Sequence, residues 1–255
     1  MMHVRAKKHL GQHFLKEDDI ARRIAESLTG HGNYRHVVEV GPGTGALTKH
    51  LVGRPNTTLI AYEVDTESVE HLGRQFPQLE VRESDFLHMH PDSITDGPIA
   101  VIGNFPYNIS TQIVFKVLEN QDRIPEMVGM FQKEVADRLC SGPGSRAYGI
   151  TSVLAQVWYD MELLFIVEPE AFIPPPAVRS AVMRMRRNTT TSMPCDEKLF
   201  AQVVKMAFNQ RRKTLHNALK GLRSLPDGVP SEYAGKRAEQ LSVADFIALT
   251  QACTA

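Results

Sequence analysis

The chain has only three cysteines, Cys140, Cys195 and Cys253, and they lie far apart. This excludes a disulfide framework and the paired spacings of zinc or redox motifs, and it suggests free thiols in a reducing compartment. No run of about 18 apolar residues occurs, so a membrane-spanning helix is not expected. The basic start, Met1 to Lys8, is not followed by an apolar stretch and does not read as a secretory signal. A cytoplasmic protein is therefore expected. There is no Gly-Lys-Ser/Thr phosphate loop, no internal repeat and no low-complexity tract. Net charge is also missing: 29 Lys and Arg balance 29 Asp and Glu.

That balance hides a segregation. Residues 1–16 contain Arg5, Lys7, Lys8 and Lys16 and no acid. Residues 179–187 contain Arg179, Arg184, Arg186 and Arg187, and residues 201–225 contain Lys205, Arg211, Arg212, Lys213, Lys220 and Arg223, again without an acid. Separated charge of this kind builds a basic face on a neutral protein. Arg5, Lys7, Lys8, Arg211, Arg212 and Lys213 are the candidates for contact with nucleic-acid phosphates, with solvated surface stretches as the plain alternative.

What is present is an alternating pattern. Ile20, Ile24 and Leu28 recur every four residues and predict a helix over 17–29. Short apolar runs follow at Val37–Val40, Thr58–Tyr62, Leu79–Arg82, Ile99–Ile102 and Met127–Phe131. Their spacing leaves room for a helix between each pair, so an α/β fold with a mostly parallel, doubly wound sheet is expected. Two later runs, Leu163–Val167 and Ser180–Arg186, are expected to form a hairpin-like pair at the sheet edge. A polar linker at 188–194 then leads into helical periodicity. Ser242-Val243-Ala244-Asp245 resembles a capping box. The expected domains are 1–188, a cofactor-binding catalytic domain, and 189–255, a small helical domain.

Gly41-Pro42-Gly43-Thr44-Gly45 follows the first strand candidate. Its third glycine comes one residue too early for the dinucleotide fingerprint G-x-G-x-x-G. The tighter turn suits S-adenosylmethionine, which has no pyrophosphate. Glu63 ends the second strand candidate, 22 residues after Gly41, where an acid can accept ribose hydroxyls. Asp85 follows the third and can accept from an adenine amino group, with Phe86 beside it as a ring to pack on the adenine. Asn104-Phe105-Pro106-Tyr107 follows the fourth. The Asn104 oxygen and a backbone carbonyl held by Pro106 can accept both hydrogens of an exocyclic amino group. That arrangement stabilises the positive charge growing on the nitrogen as it attacks a methyl. Tyr107 offers a face on which an extruded base can stack. No metal site is expected.

Together with these motifs, Leu10-Gly11-Gln12-His13-Phe14-Leu15, Gln132-Lys133-Glu134-Val135-Ala136-Asp137-Arg138-Leu139, Ala171-Phe172-Ile173-Pro174-Pro175-Pro176-Ala177-Val178 and Ala207-Phe208-Asn209-Gln210-Arg211-Arg212-Lys213-Thr214-Leu215 closely resemble the bacterial small-subunit rRNA adenine dimethyltransferases. The resemblance spans nearly the whole chain. It implies a seven-stranded, Rossmann-like class I methyltransferase fold with a small C-terminal helical domain. It also implies S-adenosylmethionine-dependent dimethylation of N6 of two adjacent adenosines in the 3′-terminal hairpin loop of 16S rRNA. The substrate would be presented inside an immature small ribosomal subunit, to a monomer. The family's cofactor residues fall on His13, Leu15, Gly41, Glu63, Asp85 and Asn104, and Phe172 falls on an aromatic expected to sandwich the target base opposite Tyr107. Position 13 is His where many members have Asn, position 105 is Phe where Leu is common, and Ala177 and Arg179 replace a frequent Lys and Asp. Three other readings remain: an adenine methyltransferase for large-subunit rRNA or DNA, a non-enzymatic assembly factor, and a nicotinamide oxidoreductase.

Overall fold

Each of the predicted apolar runs forms a strand in the computed structural model, which describes residues 4–222, 224–225 and 228–253. Arg223, counted above in the basic run, lies outside the described residues. The strands are β1 (His36–Val40), β2 (Thr58–Glu63), β3 (Glu80–Glu83), β4 (Ile99–Asn104), β5 (Glu126–Gln132), β6 (Tyr159–Val167) and β7 (Ser180–Arg187). They form one seven-stranded sheet in the order β3-β2-β1-β4-β5-β7-β6. The pairs β1/β2, β1/β4, β2/β3 and β4/β5 are parallel, and β7 runs antiparallel to β5. The last two strands are thus neighbours at the sheet edge as expected, with the later one inside.

The central strands are buried along nearly their whole length, as both faces of a parallel sheet require. Val37, Val38, Ala100, Val101, Ile102, Met127 and Val128 are all at 1% exposure or less. Helices α1 (Asp18–Glu26), α2 (Thr48–Leu51), α3 (Thr66–Gln75), α4 (Ser110–Glu119) and α5 (Lys133–Cys140) fall between the strands or just before them. α1 shows how the period works: Ala21, Ile24 and Ala25 are buried while Asp19, Arg22 and Glu26 pair on the exposed side. Leu28, expected within that helix, lies just beyond its end and is still buried.

By contact density the chain divides into two units. The first comprises residues up to Ala136 together with Asp160–Arg187, and the second Asp137–Tyr159 together with Asn188–Ala255. The division expected at 188/189 therefore omits residues 137–159, which group with the C-terminal helices. The second unit contains α6 (Ile150–Gln156), α7 (Glu197–Asn209), α8 (Leu215–Ala218), α9 (Ser231–Ala234) and α10 (Val243–Ala252). Its centre is aromatic: Phe208 lies between Tyr148 and Phe246, with ring centroids 5.9 and 5.8 Å away. α10 begins with the capping box read from sequence. Asp245 N–H donates to Ser242 Oγ at 3.1 Å, and Ser242 N–H returns a bond to Asp245 Oδ2 at 2.8 Å. Among the described residues, no helix is long and apolar enough to cross a membrane.

Candidate active site

The sheet order reverses at β1, whose neighbours β2 and β4 leave in opposite directions, and ligands bind such sheets at the carboxyl ends beside that point. The glycine turn leaves β1 there, and Asn104 ends β4 there. Gly41, Gly43 and Gly45 all have positive φ, at 65°, 56° and 81°. A side chain would be strained at each. A Cβ on Gly43 would also come within 2.8 Å of the Phe14 ring, and one on Gly45 within 2.7 Å of Phe76.

A pocket of about 180 Å³ opens beside this turn, lined by residues 10–14, Gly41, Gly43, Glu63, Val64, Asp85 and 104–109. Glu63 Oε2 accepts Gly43 N–H at 3.0 Å, and Oε1 accepts Val64 and Asp65 N–H at 2.9 and 3.0 Å. A carboxylate has roughly four acceptor positions. The backbone takes three, so Glu63 keeps about one for a ligand hydroxyl instead of serving two. Burial pushes the Glu63 carboxyl above its ordinary titration range, and the same three N–H groups hold it down. Val64 beside it is half exposed, an apolar face on the pocket wall. Asp85 Oδ1 is used to cap the turn at Phe86–His88 by accepting Leu87 N–H at 2.9 Å, which leaves Oδ2 for a ligand. Phe86 does not pack on the ligand space as expected. It is 2% exposed and sits edge-on against Tyr62 in the core, and Val64 supplies the apolar wall.

Asn104 is oriented by the backbone of the N-terminal segment. Its Nδ2 donates to the carbonyl of His13 at 2.9 Å. A carbonyl only accepts, so this bond fixes which end of the amide is which and leaves Oδ1 for the pocket. The His13 ring stacks on Tyr107 with centroids 5.3 Å apart, and its Nδ1 lies 2.8 Å from the carbonyl of Pro174, to which it donates. The hydroxyls of Tyr107 and Ser180 share a 2.6 Å hydrogen bond. Burial raises the Tyr107 phenol above its usual value, and Ser180 opposes the shift. Phe105 lies inward, edge-on to Phe131 at 5.1 Å.

Two expected site residues stand elsewhere. Phe172 is 1% exposed, pairs its backbone with Leu15, and packs in the core with Ile24 and Val182 among others. It is not part of the pocket lining, and the ring stacked on Tyr107 is that of His13. Leu15 lies beneath the glycine turn on a separate cavity of about 20 Å³, shared with Glu39, Gly41 and Asn104.

The basic candidates also divide. Lys7 is ion-paired with the buried Asp65 and with Glu67 at 3.3 Å, so its charge is already matched. Asp65 titrates below its ordinary range despite burial, because Lys7, Ser68 and Gln12 all donate to it. This pairing fastens the segment that carries Gln12 and His13 to the start of α3, and sequence spacing gave no sign of it. Arg211 donates to Glu239 at 3.1 Å and to the Ser145 carbonyl at 3.3 Å within the second unit. Arg5, Lys8, Arg212 and Lys213 are exposed and form no ion pair among the described residues. Residues 211–213 lie in the turn after α7, which ends at Asn209. Among the described residues, no cluster of three or more His, Cys, Asp or Glu could hold a metal ion.

The strand order, with antiparallel β7 set between β5 and β6, and the glycine turn closing on an acid at the end of β2 define a class I methyltransferase. Comparison narrows this further. The chain belongs to the ribosomal RNA adenine dimethylase family, whose model matches residues 3–249. It is 54% identical to the ribosomal RNA small subunit methyltransferase A of Flavobacterium johnsoniae, covering 98% of this chain and 97% of that one. Among solved structures it is similar to the 23S rRNA methyltransferase ErmE, at 25% identity and a TM-score of 0.70, covering 93% and 99% of the two chains. A dimethyladenosine transferase from Plasmodium falciparum shares the fold, at 23% identity and a TM-score of 0.77, covering 93% and 96%.

Proposed function

We propose that this chain uses S-adenosylmethionine to dimethylate N6 of two adjacent adenosines in the 3′-terminal hairpin loop of 16S rRNA, acting on an immature small subunit in the cytoplasm as a monomer. The observation that carries this reading is the Asn104 amide, turned by the His13 carbonyl so that its oxygen is left for an amino group. The small-subunit name of the half-identical relative favours this substrate over the 23S rRNA named for the more distant ErmE.

The pocket fits the cofactor's parts. Glu63 has acceptor capacity for a ribose hydroxyl, Val64 an apolar face for a base, and Asp85 Oδ2 an acceptor for its amino group. When bound, S-adenosylmethionine supplies an electrophilic methyl group. Asn104 Oδ1 accepts one N–H of the target amine and a backbone carbonyl of the following Phe105-Pro106 accepts the other. Their lone pairs grow in value as the nitrogen becomes cationic, which is preorganised stabilisation of developing charge. Tyr107, held by Ser180, gives the base a ring to stack against. A single-stranded loop needs little unpairing before a base is extruded. Arg5, Lys8, Arg212 and Lys213 supply phosphate contacts, and Lys7 and Arg211 instead brace the segments that carry them.

Methyl incorporation tests this. Purified protein, labelled S-adenosylmethionine and small subunits from a strain lacking the modification should yield dimethyladenosine near the 16S 3′ end. Label in 23S rRNA alone would transfer the substrate to the other subunit, and binding of cofactor without label would leave an assembly role.

A further inference from the structure

Two glycines are paired in the middle of the sheet where the backbone does not call for them. Gly103 on β4 and Gly129 on β5 are register partners, both are buried, and neither is among the glycines with positive φ. Glycine inside a strand weakens it and marks a close approach. Here the approach is made by the Phe105 ring. Residues two apart on a strand point to one face, so Phe105 shares a face with Gly103, and Phe131 with Gly129. A Cβ on Gly103 would come within 2.7 Å of one edge of the Phe105 ring, and a Cβ on Gly129 would run into the other edge. The ring lies across both glycines at 1% exposure, with Phe131 edge-on at 5.1 Å. The backbone of Phe105 is held as well, because its N–H donates to the Met130 carbonyl at 3.2 Å. The carbonyls from here on differ in what they meet. That of Pro106 accepts Ile109 N–H at 3.2 Å, and that of Tyr107 accepts Ser110 Oγ at 3.2 Å. The Phe105 carbonyl receives no hydrogen bond among the described residues.

We propose that this seat is a positioning device for methyl transfer, in which Gly103 and Gly129 fix the Phe105 ring and the ring fixes the Phe105 carbonyl as the second acceptor for the target amine. The inference deepens the functional reading above and rests on it. Asn104 Oδ1 is aimed through the His13 carbonyl. The second acceptor is main chain and can be aimed only through the residue that carries it. Phe105 is clamped at its N–H and at its ring, which leaves its carbonyl little freedom. A preorganised acceptor stabilises charge on the nitrogen without moving during the reaction. A misplacement of about 1 Å can cost about 10²-fold in rate. Gly129 does not line the pocket. Its missing side chain bears on the rate all the same, because the space it leaves is matched to the ring.

A pair of compensating substitutions tests this, with kcat read by methylation of small subunits that lack the modification. Gly129→Ala puts a methyl group where the ring lies and should lower kcat by about tenfold to a hundredfold. Phe105→Leu leaves the seat underfilled and should lower kcat a few-fold. Together the two changes exchange volume across the seat, so the double variant should turn over about fivefold or more faster than Gly129→Ala alone. KM for RNA and the calorimetric Kd for S-adenosylmethionine should stay within about twofold throughout, as for a loss felt only in the transition state. A role in packing alone would move Tm and leave kcat of the folded protein intact. A double variant no faster than Gly129→Ala, or unchanged kcat in both single variants, overturns the proposal. Should Gly129→Ala not fold, Phe105→Leu and Phe105→Ala serve instead. Their kcat should then fall in step with side-chain size at constant KM and Kd, and unchanged kcat in both overturns the proposal. Failure of the unaltered protein to methylate adenine overturns the functional reading and the seat together, whereas its turnover beside uncompensated variants overturns the seat alone.

Discussion

Removing the Asn104 side chain separates its chemistry from its place in the fold. Asn104→Ala deletes one acceptor for the reacting amine, and groups of this kind are worth about 10²–10³ in kcat. The structural loss is smaller. One half-buried bond, Nδ2 to the His13 carbonyl at 2.9 Å, disappears. Such a bond contributes about 1 kcal/mol, or about 2–4 °C in Tm for a protein of this size. The two effects differ by enough to be read independently. Single-turnover methylation at saturating cofactor and RNA gives the first, and a thermal melt gives the second. The expected result is kcat lower by about 10²–10³ with a modest fall in Tm. A kcat within tenfold of the unaltered enzyme would refute the role of Asn104 in stabilising charge. A collapse in Tm would show that its main work is structural.

Other substitutions probe neighbouring points. Tyr107→Phe keeps the ring and loses the bond to Ser180, so kcat should fall only a few-fold and stability by about 1 kcal/mol, whereas Tyr107→Ala should raise KM for RNA; equal effects of the two would mean the hydroxyl matters and the ring does not. Gly43→Ala places a Cβ 2.8 Å from the Phe14 ring at a φ of 56° and should weaken cofactor binding by at least tenfold in calorimetry, with near-normal affinity counting against a tight turn as the binding element. Arg212→Ala with Lys213→Ala should lower the salt slope of RNA binding by about two. Lys7→Ala should leave that slope nearly unchanged and weaken cofactor binding, because its charge already belongs to Asp65; the opposite pattern would return Lys7 to the RNA surface.

What the sequence disclosed and what it hid follow from the range of the interactions. The glycine turn, the acids ending β2 and following β3, and Asn104 were legible because a strand's end and its turn are encoded within a few residues. The Ser242 cap was legible for the same reason. Phe172 was not, because its burial depends on pairing with Leu15, far earlier in the chain. The partner of Lys7 is equally remote, so a charge that looked available proved to be spent on Asp65. Residues 137–159 carry no composition break, and only long-range contacts assign them to the second unit.

The bond that orients Asn104 comes from the main chain of residue 13, not from its side chain. A backbone carbonyl is present whatever residue occupies the position. Replacing the imidazole at this position would therefore leave the Asn104 amide oriented as it is. The side chain at 13 is left to tune something else, the stack on Tyr107 and the tether to Pro174. One residue thus orients Asn104 with its backbone and packs against Tyr107 with its side chain.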